Sequence, residues 1–417
     1  MKNGAPRILN EGYSVEATYI SSANGAYIED TEGKTYIDLT LGSGTHILGH
    51  NNPVVVEAFT SQVRRGTLYS APNPIAHEFA ETLHKATGLD QFIFCNSGAE
   101  ATMRVIRIAR AFTGKKKVAL FSGGWHGGQD HALFDDDFSS LSPLGQTCFK
   151  SSGILEELKN LTIMLPYNTD EAFEVIKANA SDIALVMIEP SQGSNPRDDV
   201  EEFLRKLRKV TAENEVLLCF DEVITGFRLS LGGVRELYAI TPDLCTYGKT
   251  VGGGLPIGIV SGDNSILNYV SNGKEIMPTF FGGTFSANPL SMAVGNAVLS
   301  YLLENQELVY PKLRRQSLKI KNEINQFCEE NKICAHMSGI ESMMRLIFTE
   351  KKIHSRKERE RNEVSREEQL RFYNELKNLG IYVGSNGIIF LSIAHDDNVV
   401  DEVIASFCLA LKTQFKW

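Results

Sequence analysis

At 417 residues and 42% hydrophobic composition, the chain is long and apolar enough to bury a large core and to divide into two or three domains, which excludes a disordered protein. A net charge of −9 leaves no basic face for nonspecific binding to nucleic acid or anionic membranes, so a small-molecule enzyme fits better. Seven scattered cysteines without a CxxC pair, no apolar run near the roughly 20 residues of a membrane span, and an opening MKNGAPRILNEGY without a signal-peptide core predict a soluble, cytoplasmic protein with no zinc site and no disulfide framework.

After a weakly periodic stretch over residues 1–24, GAYIEDTEGKTYIDLT alternates apolar and polar residues about the turn Thr31-Glu32-Gly33-Lys34, which predicts a β-hairpin. Residues 41–53 form a loop rich in glycine and histidine. His46 and His50 stand four apart, but Gly44 and Gly49 argue against the helix that would turn both toward one metal, so polar or structural roles are expected. Helices are expected over 54–65 and 74–88. The strand 91–95 runs directly into Asn96-Ser97-Gly98-Ala99-Glu100 and a long helix to Gly114, which puts free N–H groups and a partial positive charge where a phosphate can sit. Ser97 with Glu100 is also a capping box that simply starts a helix.

Short apolar runs at 118–121, 162–165, 183–189, 216–221, 244–247 and 257–261 follow, several separated by helical patterns such as 170–178 and 200–214. The pattern predicts an α/β fold, a mostly parallel sheet between helices, with ligands at the carboxyl ends of the strands. Polar words fall at those ends: Gly124-Trp125-His126-Gly127, Glu189-Pro190-Ser191-Gln192-Gly193, Asp221-Glu222-Val223 and Gly248-Lys249. The window TPDLCTYGKTVGGGLPIG, residues 241–258, sets a single lysine, Lys249, between a strand-like run and three glycines. The ordinary alternative is a solvated turn lysine, while a P-loop is disfavoured because Asp243 stands where that motif needs a glycine. In the C-terminal third, helices are expected at 288–304, 308–331, 366–379 and 401–412, with strands near Ile381 and Ile388, as in a small α+β domain. The run 351–371 mixes charges of both signs and is expected to form a solvated loop and helix face.

An amine able to form a Schiff base, a carboxylate, an aromatic beside a His, and a phosphate-ready helix start are the groups that pyridoxal 5′-phosphate needs. The words LGH at 48–50, NSGAEATMRVIRIAR at 96–110, WHG at 125–127, EP at 189–190, DEVITGFR at 221–228, residues 241–258, and GGTFSANPLSMA at 282–293 give the chain a close resemblance to the class III aminotransferases of the fold-type I superfamily. Within that class the wording is most similar to members of the glutamate-1-semialdehyde 2,1-aminomutase type, over roughly residues 25–400. The resemblance implies a large cofactor-binding domain at 51–298 and a small α+β domain built from both chain ends, 1–50 and 299–417. It implies a Lys249 Schiff base, with Lys249 later moving the proton, and Asp221 paired with the pyridinium nitrogen. Ser97, Gly98 and Ala99 would hold the phosphate, and Trp125, beside His126, would stack on the ring where the family more often has Tyr or Phe. Val223 would pack the opposite face, Glu189 would lie near the cofactor, and Thr284 would reach the phosphate of a neighbouring subunit in a homodimer with shared active sites.

Two departures bear on the substrate. The aminomutases carry a Glu in the stretch matching residues 383–389, but VGSNGII here is about two residues shorter and holds no carboxylate. Many ω-aminotransferases carry an Arg on the adjoining strand, and IIFLS at 388–392 has none. The expected activity is therefore amino transfer between a small-molecule amino donor and a carbonyl acceptor. The alternatives are a 2,1-aminomutase and a catalytically silent relative.

Overall fold

The computed structural model describes residues 18–136, 147–273 and 276–414; residues 1–17 of the weakly periodic opening stretch lie outside them. Strands β1 (Ile20–Asn24), β2 (Tyr27–Asp30) and β3 (Thr35–Asp38) form an antiparallel meander that contains the expected hairpin. Asp30 fixes its turn by accepting the N–H groups of Glu32 and Lys34 and the Tyr36 hydroxyl at 2.9, 3.0 and 2.7 Å. The following loop opens with a distorted turn, Leu41–Gly44, in which Leu41 and Ser43 adopt φ of 48° and 59°. Left-handed backbone at a non-glycine residue costs about 1–3 kcal/mol and persists only where the surroundings hold it. Helices Pro53–Val63 and Pro74–Thr87 each start on an Asn side-chain cap with proline in the first turn, and Gly88, at φ 68°, ends the second.

The central sheet uses β4 (Phe92–Cys95) and β5 (Lys117–Phe121), then, after the short antiparallel pair β6 (Phe134–Asp136) and β7 (Thr147–Phe149), strands β8 (Thr162–Leu165), β9 (Ile183–Ile188), β10 (Leu217–Glu222), β11 (Leu244–Gly248) and β12 (Gly258–Gly262). Its order is β4-β12-β11-β10-β9-β5-β8. Only β12 runs antiparallel to its neighbours; the other pairings are parallel. Both faces are covered, which is why the strands read as unbroken apolar runs. Val118 and Leu120 pack into the core under helix Gly98–Thr113, whereas Ala119 and Phe121 face the opposite core with Phe203 of helix Glu201–Glu213.

In the C-terminal part, β13 (His336–Ile340) and β14 (Met343–Ile347) pair antiparallel, β15 (Ile381–Tyr382) joins β3 in parallel, and β16 (Ile388–Phe390) pairs with β14. The two ends of the chain therefore share one sheet. Long helices occupy Pro289–Glu304 and Gln306–Glu330, and the last helix, Asp397–Gln414, starts earlier than its apolar periodicity indicates because Asp396 accepts the Val399 N–H at 2.9 Å. The charged run 351–371 is mostly solvated, but Ile353, Arg359 and Gln369 are buried. Arg359, on helix Arg356–Asn362, is buried and donates to the Ser194 carbonyl, with Glu363 at 3.1 Å, and burial pushes its guanidinium down to about 9. No helix among the described residues is long and apolar enough to cross a membrane.

Candidate active site

A cavity of about 490 Å³ opens where β9, β10 and β11 end, within the about 300–1,000 Å³ typical of small-molecule sites. Lys249 follows β11 directly, with φ of 45°, and lines this cavity. Its frame has a steric reason at Gly254, where φ is 105° and an added Cβ would stand 2.8 Å from the His46 ring. Burial pulls the Lys249 ammonium pKa below the usual lysine range, against the opposing pull of Glu189 and Asp221, and Arg228 adds to the lowering. His46 and His50 lie behind this wall with ring centres 4.5 Å apart, and His50 pairs with Asp38 at 2.8 Å, a polar structural role.

Asp221, near the end of β10, is buried and both of its oxygens have partners in the protein, with Oδ2 keeping one lone pair open. Its Oδ1 accepts the Thr246 hydroxyl at 2.8 Å and the Val223 N–H at 3.2 Å, and its Oδ2 lies 2.7 Å from His126 Nδ1. Thr246 was not legible in the sequence as a site residue, because only the register of two parallel strands brings it opposite Asp221. His126 is held in turn by its carbonyl, which accepts the Thr102 hydroxyl at 2.6 Å, while its buried Nε2 has no partner in the protein. Glu189, just past β9, accepts the Trp125 N–H at 2.8 Å and the Gly193 N–H at 3.3 Å, and burial raises its carboxyl pKa. It thereby pins the turn that leaves Trp125 51% exposed at the cavity.

Ser97, Gly98 and Ala99 line the cavity at the start of helix Gly98–Thr113. The capping box is only half formed: Ser97 Oγ accepts the Glu100 N–H at 3.1 Å, but the Glu100 carboxylate takes the Asn96 N–H at 3.2 Å instead of that of Ser97. The first N–H groups of a helix have no acceptor within it, and here they border the cavity. Val223 packs so closely on Gly98 that an added Cβ would come within 2.8 Å of its methyl group.

These residues fit pyridoxal 5′-phosphate on three counts: the orphaned His126 Nε2 on the wall, the glycine-floored helix start, and an amine and a carboxylate lining one cavity. Ile224 and residues 254–257, from the words at 221–228 and 241–258, add to the walls, and Thr45 joins them with no sequence signal of its own. Of the described residues that line the cavity, none is an arginine, and residues 383–389 do not reach it. Thr284 lies outside the cavity on an exposed turn, which Arg104 anchors by donating to the Gly282 carbonyl and the Ser286 hydroxyl, both at 3.2 Å. A methyl group at Gly98 should crowd Val223 at a cost of about 1–3 kcal/mol. Gly98→Ala is expected to weaken pyridoxal 5′-phosphate retention about tenfold, measured by fluorescence titration, and the Gly98→Ala/Val223→Ala double variant to regain most of it; unchanged affinity in the single variant would contradict this packing.

The chain matches the model of the family Aminotransferase class-III over residues 8–414. It is 37% identical over 397 residues to the glutamate-1-semialdehyde 2,1-aminomutase of Persephonella marina, covering 94% of this chain and 90% of that one. Among solved structures it superposes on an omega-transaminase from Sphaerobacter thermophilus with a TM-score of 0.91 at 26% identity, covering 98% and 94% of the two chains. A glutamate-1-semialdehyde-aminomutase from Pseudomonas aeruginosa shares the fold, with a TM-score of 0.85 at 21% identity over 95% and 88% of the chains. With this cavity at the strand ends and a family match over nearly its whole length, the chain belongs to the class III aminotransferases.

Proposed function

We propose that the protein is a pyridoxal 5′-phosphate-dependent aminotransferase that moves an amino group from a small-molecule donor to a carbonyl acceptor, with Lys249 and Asp221 as its catalytic residues. The observation that carries this reading is the meeting in one cavity of a lysine whose pKa burial lowers, a carboxylate held by three neighbours, and an open helix start. Bound there, pyridoxal 5′-phosphate supplies an aldehyde that condenses with amines and a ring that withdraws electrons from the substrate carbon. Lys249 Nζ is the attachment point and afterwards moves the proton at that carbon. Its lowered pKa leaves more of the neutral amine near neutral pH, the form that accepts a proton. Asp221, fixed by Thr246, Val223 and His126, holds the proton on the ring nitrogen. Ser97, Gly98 and Ala99 bind the phosphate, Trp125 and Val223 enclose the ring, and Glu189 sets the Trp125 turn.

A 2,1-aminomutase is the second reading, favoured by the name of the relative at 37% identity and opposed by the absence of a carboxylate across residues 383–389. The two differ in whether an external amino donor is consumed. Loaded enzyme incubated with a panel of amines is expected to convert a donor to its carbonyl product, and Asp221→Ala to do so slower by orders of magnitude, each tenfold being about 1.4 kcal/mol. Isomerisation of one compound without any donor would move the assignment to the mutase.

The reading extends to a cytoplasmic homodimer with shared active sites, and to a division of the chain at 50/51 and 298/299, the second cut falling inside helix Pro289–Glu304. All seven cysteines are free thiols, as a reducing compartment favours. Met277, Phe280 and Phe285 flank Thr284 with exposures of 88%, 73% and 59%, an apolar surface suited to a second copy of the chain. If Thr284 serves the neighbouring site, cofactor and dimer are linked by mass action. Thr284→Ala should then raise the dimer dissociation constant of the loaded enzyme more than that of the cofactor-free form in sedimentation. Full cofactor binding by a wild-type monomer would sink this part of the proposal.

A further inference from the structure

Arg228, in the loop that follows β10, is the largest of the fully buried side chains. No carboxylate of a described residue pairs with it, although a buried charge is costly unless matched. Instead, its Nε and Nη2 donate to the Gly44 carbonyl at 2.9 and 2.6 Å, and its Nη1 to the Leu391 carbonyl at 3.0 Å and the Ser342 hydroxyl at 3.3 Å. The guanidinium also lies 5.2 Å from the centre of the Phe390 ring. Carbonyl oxygens hold the group without cancelling its charge. One side chain thus ties the loop after β10 to three remote segments: the turn Leu41–Gly44, the β13–β14 turn and the end of β16.

Gly44 is the common point. Its carbonyl also accepts the hydroxyl of Thr250, the residue after Lys249, at 3.2 Å, and Thr45, the next residue along, lines the cavity. The turn is wound through left-handed backbone at Leu41, Gly42, Ser43 and Gly44, with φ of 48°, 61°, 59° and 85°, so it needs an external hold. We propose, resting on the function above, that Arg228 is a positioning residue of the amino-transfer reaction, latching the cavity wall at Thr45 to the Lys249 loop through Gly44 and keeping an uncancelled positive charge at the Gly44 carbonyl that it shares with Thr250, the residue next to Lys249. The charged and titratable groups around the pair are Glu189 and Asp221 toward Lys249, and His46 and Tyr310 toward Arg228. The two carboxylates favour a proton on the Lys249 nitrogen, and Arg228 opposes it. Removing the Arg228 charge therefore raises the pH at which that nitrogen loses its proton, while replacing it with another cation does not.

Three variants separate the two parts of the role. Arg228→Lys keeps the charge but loses the forked grip on Gly44, Arg228→Met loses both, and Thr250→Val removes only the second donor to the Gly44 carbonyl. Hydrogen exchange over residues 41–45, read on the protein with or without cofactor, is expected to quicken in Arg228→Lys and, less, in Thr250→Val. The pH midpoint of the bound cofactor's visible absorbance is expected to stay in place in Arg228→Lys and to move upward in Arg228→Met, and kcat of Arg228→Lys to fall about tenfold, as misplacement at a site does. Wild-type exchange over 41–45 in both Arg228→Lys and Thr250→Val overturns the latch. A midpoint in Arg228→Met that coincides with the wild-type value overturns the electrostatic role. Should Arg228→Met not fold, a midpoint displaced in Arg228→Lys overturns that role instead. A wild-type protein that took up no pyridoxal 5′-phosphate would remove the functional reading, and the exchange data would still decide the latch.

Discussion

A buried carboxylate with all its neighbours in place is the constraint on which the rest of the site depends. Asp221 is taken out of water at the end of a central strand, and leaving a buried polar partner unmatched costs about 1–3 kcal/mol or more. Thr246 from the adjacent strand, the Val223 N–H and His126 meet that demand, so β10, β11 and the turn after β5 are placed relative to one another to within hydrogen-bond tolerance. Lys249 follows one of those strands directly, and Val223, two residues past Asp221, closes against Gly98 at the helix start. Fixing one carboxylate therefore places the amine of Lys249 and the start of helix Gly98–Thr113 at one cavity.

Much of this was legible in the sequence, for a physical reason. A sheet buried on both faces must be written as short apolar runs, and a site at its carboxyl edge must be written as polar words immediately after them. Lys249, Asp221, Glu189, Trp125 and His126 all follow that rule, and all line one cavity. The orientation of β12 did not follow from its residues, because an apolar run carries no direction; the turn Gly252–Leu255, closed by the Leu255 N–H on the Gly252 carbonyl at 2.9 Å, returns the chain antiparallel beside β11. Thr246 was hidden because its meaning depends on the register of two strands distant in sequence.

Buried arginines were the hardest residues to read. Arg228 lies in the word DEVITGFR and Arg359 in a run of mixed charge, and in both settings an arginine is ordinarily solvated. Each is buried because the acceptors come from elsewhere in the chain: Gly44 and Leu391 for one, Ser194 for the other. Both contacts join C-terminal or N-terminal segments to loops that border the cavity, so the sharing of one sheet by the two chain ends has a counterpart at the site itself. The left-handed turn Leu41–Gly44 belongs to the same arrangement: Asp38 accepts the Leu41 N–H from within the N-terminal segment, and Arg228 and Thr250 reach the Gly44 carbonyl from elsewhere in the chain.

The central claim is that the amine in this cavity is the one that bonds the cofactor. Borohydride reduction of the protein loaded with pyridoxal 5′-phosphate, followed by proteolysis and mass spectrometry of the labelled peptide, tests it most directly. The account predicts a single major label on Lys249, within the peptide that carries the glycines after it, and loss of the yellow colour's covalent retention in Lys249→Ala. A label on any other lysine, with Lys249 unmodified, would contradict it.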